Sequence, residues 1–63
     1  MRIDRKKMVL AMMDIDVNAK QLAEKAKVAR ATVSAVKNGR SCSEQTAIRI
    51  AAALQVDLKK LVE

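Results

Sequence analysis

Apolar residues recur every three or four positions along most of the chain, with polar residues between them. This spacing predicts helices over residues 19–26, 30–37 and 44–54. A shorter pattern predicts a last helix over residues 58–62, with Leu58 and Leu61 facing inward. One Gly, no Pro and no run of β-branched residues agree with an all-α fold. The inward positions of the three longer helices are Leu22, Ala23 and Ala26, then Val33 and Val36, then Ala47, Ile50, Ala51 and Leu54.

Suitable capping residues stand at the predicted helix ends. Asn18, Ser43 and Asp57 each precede a predicted helix, and their side-chain oxygens can accept a free backbone N–H of the first turn. Asp4, or the residues just before it, can cap the first helix in the same way. Gly39 predicts the end of the helix over residues 30–37, because a left-handed residue there satisfies the last carbonyls without steric cost.

The first predicted helix, residues 3–14, lacks a single apolar stripe. Its core-facing positions are Met8, Ala11 and Met12. Residues 8–13 are nevertheless six consecutive apolar residues, which cover a whole helix circumference. Two interpretations remain open. Either a small core surrounds the helix and leaves stray apolar groups exposed, or a second apolar face binds another protein chain. Methionine suits such adaptable surfaces, and that face would consist of Val9, Met12 and Met13.

Positive charge is concentrated in the middle of the chain. The net charge is +6, which favours a polyanionic partner, either nucleic acid or an acidic membrane surface. Residues 18–49 carry seven basic and two acidic side chains and so contribute +5, whereas residues 1–17 contribute +1 and residues 50–63 contribute 0. A membrane-surface role is disfavoured, because no helix pairs a basic face with bulky aromatic residues.

The composition argues against several other classes of function. With one cysteine, Cys42, and no histidine, we expect neither a zinc site nor a Cys–His nucleophile pair. No phosphate-binding loop or pair of clustered carboxylates appears, so we expect no enzymatic activity and no cofactor. One thiol cannot form an internal disulfide, and the chain has no membrane-length apolar run or signal-peptide pattern. These features predict a cytoplasmic protein.

The stretch Asn18–Gly39 has the pattern of a helix-turn-helix, in which two short helices are joined by a turn at residues 27–29. Small residues in the first of these helices allow a close crossing, and valines fix the second helix against it. Two segments, LAEKAKVARATVSAVKNGR at 22–40 and IRIAAALQVDLKKL at 48–61, resemble the lambda-repressor-like, or Cro/repressor-type, DNA-binding domains of phage and bacterial regulators. The resemblance covers residues 4–62 in order and spacing. It implies one compact five-helix domain over residues 1–63.

The resemblance also implies roles for individual residues on double-stranded DNA. The family's base-reading positions fall on Arg30, Ala31, Ser34 and Ala35. Arginine can hold a guanine by two hydrogen bonds, and alanine can contact a thymine methyl group. Thr32 can reach a base or a phosphate. The family's backbone-holding positions fall on Asn18, Lys20, Lys37, Asn38 and Arg40.

Several residues depart from the family pattern. Ala19 replaces a common phosphate-contacting Gln, and Lys27 replaces the turn glycine. Lys27 must therefore adopt a left-handed conformation or reshape the turn. Ala29 replaces the usual Ser or Thr cap, which is worth about 1 kcal/mol. A frequent Arg–Glu pair between the first and third helices is replaced at both ends, by Met12 and Lys37. We expect these departures to weaken DNA binding more than the fold.

Two functions are compatible with these features. The first is a small transcription regulator of phage or mobile-element type, a repressor for example, that binds operator DNA as a dimer through its third helix. The alternative is an antirepressor or corepressor that binds a larger repressor through the apolar surface of the first helix.

Overall fold

The computed structural model describes residues 1–63 and contains four α-helices and no sheet. They are α1 (Arg5–Asp14), α2 (Ala19–Ala26), α3 (Arg30–Lys37) and α4 (Glu44–Leu54), followed by one 3-10 turn, Leu58–Lys60. The predicted all-α class and the predicted bounds of α2, α3 and α4 are confirmed. No helix combines the length and the apolar character that crossing a membrane requires.

The predicted fifth helix, residues 58–62, is reduced to the 3-10 turn Leu58–Lys60, and the residues after it pair with the opposite end of the chain. Asp57 caps the 3-10 turn as predicted, accepting the Lys59 N–H at 3.1 Å. Beyond that turn, Val62 forms an antiparallel bridge with Ile3. The N–H of Asp4 donates to the carbonyl of Leu61 at 2.7 Å. The same pairing holds Ile3 outside the first helix, so that α1 begins at Arg5 and is capped by Asp4.

The core contains only apolar side chains and draws on all four α-helices, with Ile3 and Leu61 from the chain ends. The α2 helix packs against both α3 and α4, α1 packs against α3, and the 3-10 turn packs against α4. Each inward position predicted for α2, α3 and α4 is buried, as is Leu61, while Leu58 is half-buried. Ile3 is an additional core residue. The complete set is Ile3, Met8, Ala11, Met12, Leu22, Ala23, Ala26, Val33, Val36, Ala47, Ile50, Ala51, Leu54 and Leu61.

Met12 corrects the predicted partner surface on α1. Its side chain is only 5% exposed and lies one helical turn beyond Met8, on the core-facing side. Met12 therefore cannot belong to a surface that binds another chain. The exposed apolar side chains of α1 are instead Leu10, at 60%, and Met13, at 69%, with Val9 half-buried beside them. The unbroken apolar run thus supplies both a core face and an exposed face.

All four α-helices end in the same backbone motif. A residue with positive φ follows each helix, and the next residue donates its N–H to the carbonyl five positions earlier. In three cases that next residue is a valine that packs against the core, and at the end of α3 it is Arg40. Only Gly39 adopts the left-handed conformation without steric cost, as predicted for the end of α3. The four left-handed residues are Asp16, Lys27, Gly39 and Gln55.

Replacing Gln55 by glycine should therefore stabilise the protein. Gln55 has φ 61°, a conformation that costs a side-chain-bearing residue about 1–2 kcal/mol. Glycine removes that cost but loses about 0.5–1 kcal/mol through its greater freedom when unfolded. We expect Gln55→Gly to raise the free energy of unfolding by about 0.5–1 kcal/mol in urea denaturation followed by circular dichroism.

The matched control is Ala52→Gly, at an exposed position inside α4. It should lower the free energy of unfolding by about 1 kcal/mol, because glycine is a poor helix former. Equal losses in both variants would contradict the proposed strain at Gln55.

Candidate nucleic-acid interface

The start of α2 is fixed by a reciprocal cap. The Oδ1 atom of Asn18 accepts the Gln21 N–H at 2.8 Å, and the Asn18 N–H donates to Oε1 of Gln21 at 2.9 Å. The predicted Asn18 cap is confirmed. Gln21, which the sequence analysis did not assign to the cap, is its second half, and the Asn-x-x-Gln spacing was the available signal. The cap occupies Oδ1 of Asn18 and leaves its Nδ2 as a hydrogen-bond donor.

Small side chains bring α3 close to α2. Ala23 and Ala26 are buried at the face that α2 turns toward the core, and Val33 and Val36 are the buried residues of α3. Between the helices, Val28 is half-buried and packs against the core. Because the inner face of α3 needs only two valines, most of the circumference of this helix remains at the surface.

The sequence allowed either a left-handed Lys27 or a reshaped turn between α2 and α3, and the structure has the left-handed Lys27. Lys27 adopts the left-handed conformation, with φ 58° and ψ 42°. On α4, the Arg49 guanidinium lies beside this turn, with Nη1 3.5 Å from the Lys27 carbonyl oxygen. Arg49 is a supporting residue with no local signal in the sequence, because its contact joins distant parts of the chain.

The four base-reading candidates share the outer side of α3. Arg30, Ala31 and Ser34 are exposed, and Ala35 is half-buried at one edge. Arg30 and Ser34 are one helical turn apart, and Asn38 follows one turn later, so these three form a single row. Thr32 is half-buried at the margin with the core-facing side.

The start of α3 is less well capped than its end. Ala29 is the N-cap residue and makes no side-chain hydrogen bond, as the sequence indicated. At the other end, Gly39 has φ 96°, and its N–H donates to the Val36 carbonyl at 3.0 Å. Arg40 completes the motif through a 3.0 Å bond from its N–H to the Ala35 carbonyl.

The helix-turn-helix carries unneutralised positive charge. Residues 25–43 contain five basic residues and no acidic one. The one ion pair in the structure joins Arg2 to Glu63, with Nε and Oε1 3.9 Å apart, so Lys37 has no carboxylate partner. The backbone-holding candidates are all at least partly exposed: Asn18 and Lys20 at the start of α2, Thr32 within α3, and Lys37, Asn38 and Arg40 around its end.

The α2 and α3 helices pack against each other and leave the outer side of α3 exposed, which is the arrangement of a helix-turn-helix, a motif typical of DNA-binding proteins. A family model described as helix-turn-helix matches residues 10–61, a range that includes α2, α3, α4 and the 3-10 turn. The chain belongs to this lambda-repressor-like helix-turn-helix family, which confirms the resemblance seen in the sequence. In the same comparisons, no curated protein and no solved structure matched the chain.

Restoring the missing cap of α3 should stabilise the domain. Ala29 has the extended backbone of an N-cap residue, with φ −65° and ψ 144°. A serine hydroxyl there can accept a backbone N–H of the first turn. We expect Ala29→Ser to raise the free energy of unfolding by about 1 kcal/mol, measured by thermal and urea denaturation.

The control is Ala31→Ser, which makes the same chemical change at an exposed position inside α3. It should lower the free energy of unfolding by about 0.5 kcal/mol, because serine is a weaker helix former than alanine. A loss of stability in Ala29→Ser as large as in Ala31→Ser would mean that the first turn of α3 gains nothing from a cap.

Proposed function

We propose that the chain is a transcription regulator that binds operator DNA with α3 in the major groove. The observation that supports this most directly is the outer side of α3, which is exposed and lies within a segment free of acidic residues. An α-helix with its side chains is about 10–12 Å in diameter, which fits the roughly 12 Å width of the major groove. The role is one of binding, without catalysis.

The proposed base contacts come from one side of α3. Arg30 donates two hydrogen bonds to O6 and N7 of a guanine, the commonest specific contact of arginine with DNA. Ala31 and Ala35 contact thymine methyl groups, and Ser34 bonds to whichever base edge lies opposite. The exposure of Arg30, Ala31 and Ser34, with Ala35 at the edge, supports this assignment.

The proposed backbone contacts surround these positions and set the register of α3 in the groove. Nδ2 of Asn18 remains available to donate to a phosphate, since the cap occupies only Oδ1. The proposed set is Asn18, Lys20, Thr32, Lys37, Asn38 and Arg40. The contacts of the lysines and the arginine in this set supply affinity that falls as salt rises, and none of the phosphate contacts distinguishes sequences.

The size of the domain supports binding as a dimer. Its largest extent is 23 Å, whereas successive major-groove faces on one side of DNA are about 34 Å apart. One copy therefore spans a single half-site, and a second copy on the next helical turn supplies the remaining affinity. The Cro/repressor-type pattern of residues 22–40 and 48–61 supports a cytoplasmic regulator of phage or mobile-element type.

The Arg30 contact can be tested by DNA selection. Duplexes enriched from a random pool by the unmodified protein give the preferred site, and anisotropy titrations then give affinities for single-base variants of it. We expect Arg30→Ala to remove about 1–3 kcal/mol of discrimination at one position and to leave the other positions unchanged.

Two further variants serve as controls. Lys37→Ala should weaken binding to every duplex alike and lower the salt-dependence slope by about 1. Lys59→Ala removes a charge from the C-terminal 3-10 turn, outside the helix-turn-helix, and should change neither base preference nor slope. Unchanged base preference in Arg30→Ala would contradict the proposed placement of α3.

A second candidate function is supported by the exposed apolar face of α1, formed by Val9, Leu10 and Met13. Leu10 and Met13 are the most exposed large apolar side chains in the protein, and exposed apolar surface often marks a binding site. In this alternative the chain is an antirepressor or corepressor whose α1 face binds a larger repressor.

The double variant Leu10→Lys/Met13→Lys separates these possibilities. Both residues are exposed, so the fold should be retained, while two buried charges would disrupt any contact at this face. If the face joins two copies of the chain, the variant should lose cooperative binding to two adjacent half-sites and keep its affinity for one. If it binds a repressor, DNA binding should persist and co-elution with a repressor encoded beside the gene should be lost.

Gln45→Lys/Ala52→Lys is the matched control, because it adds the same charge to exposed positions of α4. Identical behaviour of the two double variants in both assays would remove the support for a partner on α1.

A further inference from the structure

Two arginines from the start of the chain lie against the loop that ends α3. A methyl group placed on Gly39 would be 3.2 Å from Cδ of Arg5 and 3.7 Å from Nη2 of Arg2. Gly39 follows Lys37 and Asn38 and precedes Arg40, so the two arginines extend the positive surface at this end of α3. No pattern in the sequence indicates a role for Arg2 or Arg5.

The backbone that carries these arginines is held on both sides. The Met1 amino group donates to the Cys42 carbonyl at 3.1 Å, and the Cys42 N–H donates to the Met1 carbonyl at 2.7 Å. On the other side Ile3 forms its bridge with Val62. Arg5 is the first residue of α1, directly after the Asp4 cap. Little backbone entropy remains to be lost when Arg2 and Arg5 bind a ligand.

No carboxylate neutralises Arg5, and only a weak contact reaches Arg2. Glu63 lies 3.9 Å from Nε of Arg2, and the two side chains are 57% and 51% exposed. Exposed pairs of this kind contribute little to stability. The side chains of Arg2 and Arg5 lie against Gly39, and Lys37 and Arg40 are within two residues of it in the chain, whereas the one carboxylate paired with any of these four cations is Glu63. Such a group of like charges suits a polyanion, whose own charges compensate it.

We propose that Arg2 and Arg5 bind the DNA phosphate backbone beside the C-terminal end of α3, with Gly39 leaving room for their side chains. This inference rests on the proposed binding of DNA by α3. The planar guanidinium donates two parallel hydrogen bonds to a phosphate, so each arginine engages one phosphate and adds affinity without sequence preference. The contact anchors α3 at the end opposite Arg30.

The test is the salt dependence of binding to the duplex selected by the unmodified protein. The slope of log affinity against log salt falls by about 0.9 for each phosphate contact that is lost. We expect Arg2→Gln and Arg5→Gln each to lower the slope by about this amount and to leave the ratio of affinities for selected and scrambled duplexes unchanged. Arg5→Lys should keep most of the slope, because it keeps the charge.

Lys6→Gln is the matched control, since it removes the same charge from the next residue of α1, which lies on a different side of the helix. If Lys6→Gln lowers the slope as much as Arg5→Gln does, the inference is overturned, because the fall in slope then reflects only the loss of one positive charge. A loss of thermal stability in Arg5→Gln with no change in slope would also overturn it and assign the arginine to closing α3.

If the unmodified protein binds no duplex at any salt, the proposed function fails. If it binds and both arginine variants keep its slope, this inference alone fails.

Discussion

The close packing of α2 against α3 and α4 through small side chains is the constraint on which the rest of the structure depends. The chain has no aromatic residue, so no aromatic ring fills the space between helices, and the helices must approach closely to exclude water. Ala23, Ala26, Ala47 and Ala51 are all buried and permit that approach. Because Val33 and Val36 complete the contact, α3 is held by a narrow stripe, and its remaining surface is left for binding.

Short connections follow from the same constraint. Helices packed this closely must reverse direction within a few residues, and each of the four does so through a left-handed residue. In α1, α2 and α4 the next residue is a valine whose burial against the core compensates for the strain at Asp16, Lys27 and Gln55. The end of α3 is built differently, with an unstrained glycine and a polar Arg40 on the surface. The one helix end free of strain is thus the one inside the candidate interface.

The sequence predicts what local chemistry decides and fails where distant segments meet. Periodic apolar positions and adjacent caps suffice to place α2, α3 and α4, and the positions of Val33 and Val36 imply which side of α3 is free. The pairing of Ile3 with Val62 has no local signal, and it keeps these two residues outside α1 and the 3-10 turn, which are therefore shorter than predicted. The place of Arg2 and Arg5 beside Gly39 depends on the same pairing. Met12 was ambiguous because a run of apolar residues has no polar position that fixes its orientation.

The two ends of α3 are held unequally, and each end suits a different kind of DNA contact. Arg30, the strongest candidate for reading a base, follows an uncapped Ala29 and a strained Lys27. Lys37 and Arg40 flank a firmly closed end at Gly39, against which the fixed N-terminal segment also packs. A base contact requires accurate placement of a side chain, whereas a phosphate contact tolerates small displacements because charge attraction falls off slowly with distance. We therefore expect a protein whose affinity depends strongly on salt and whose sequence discrimination is modest for one copy, so that accurate recognition requires a second copy or a protein partner.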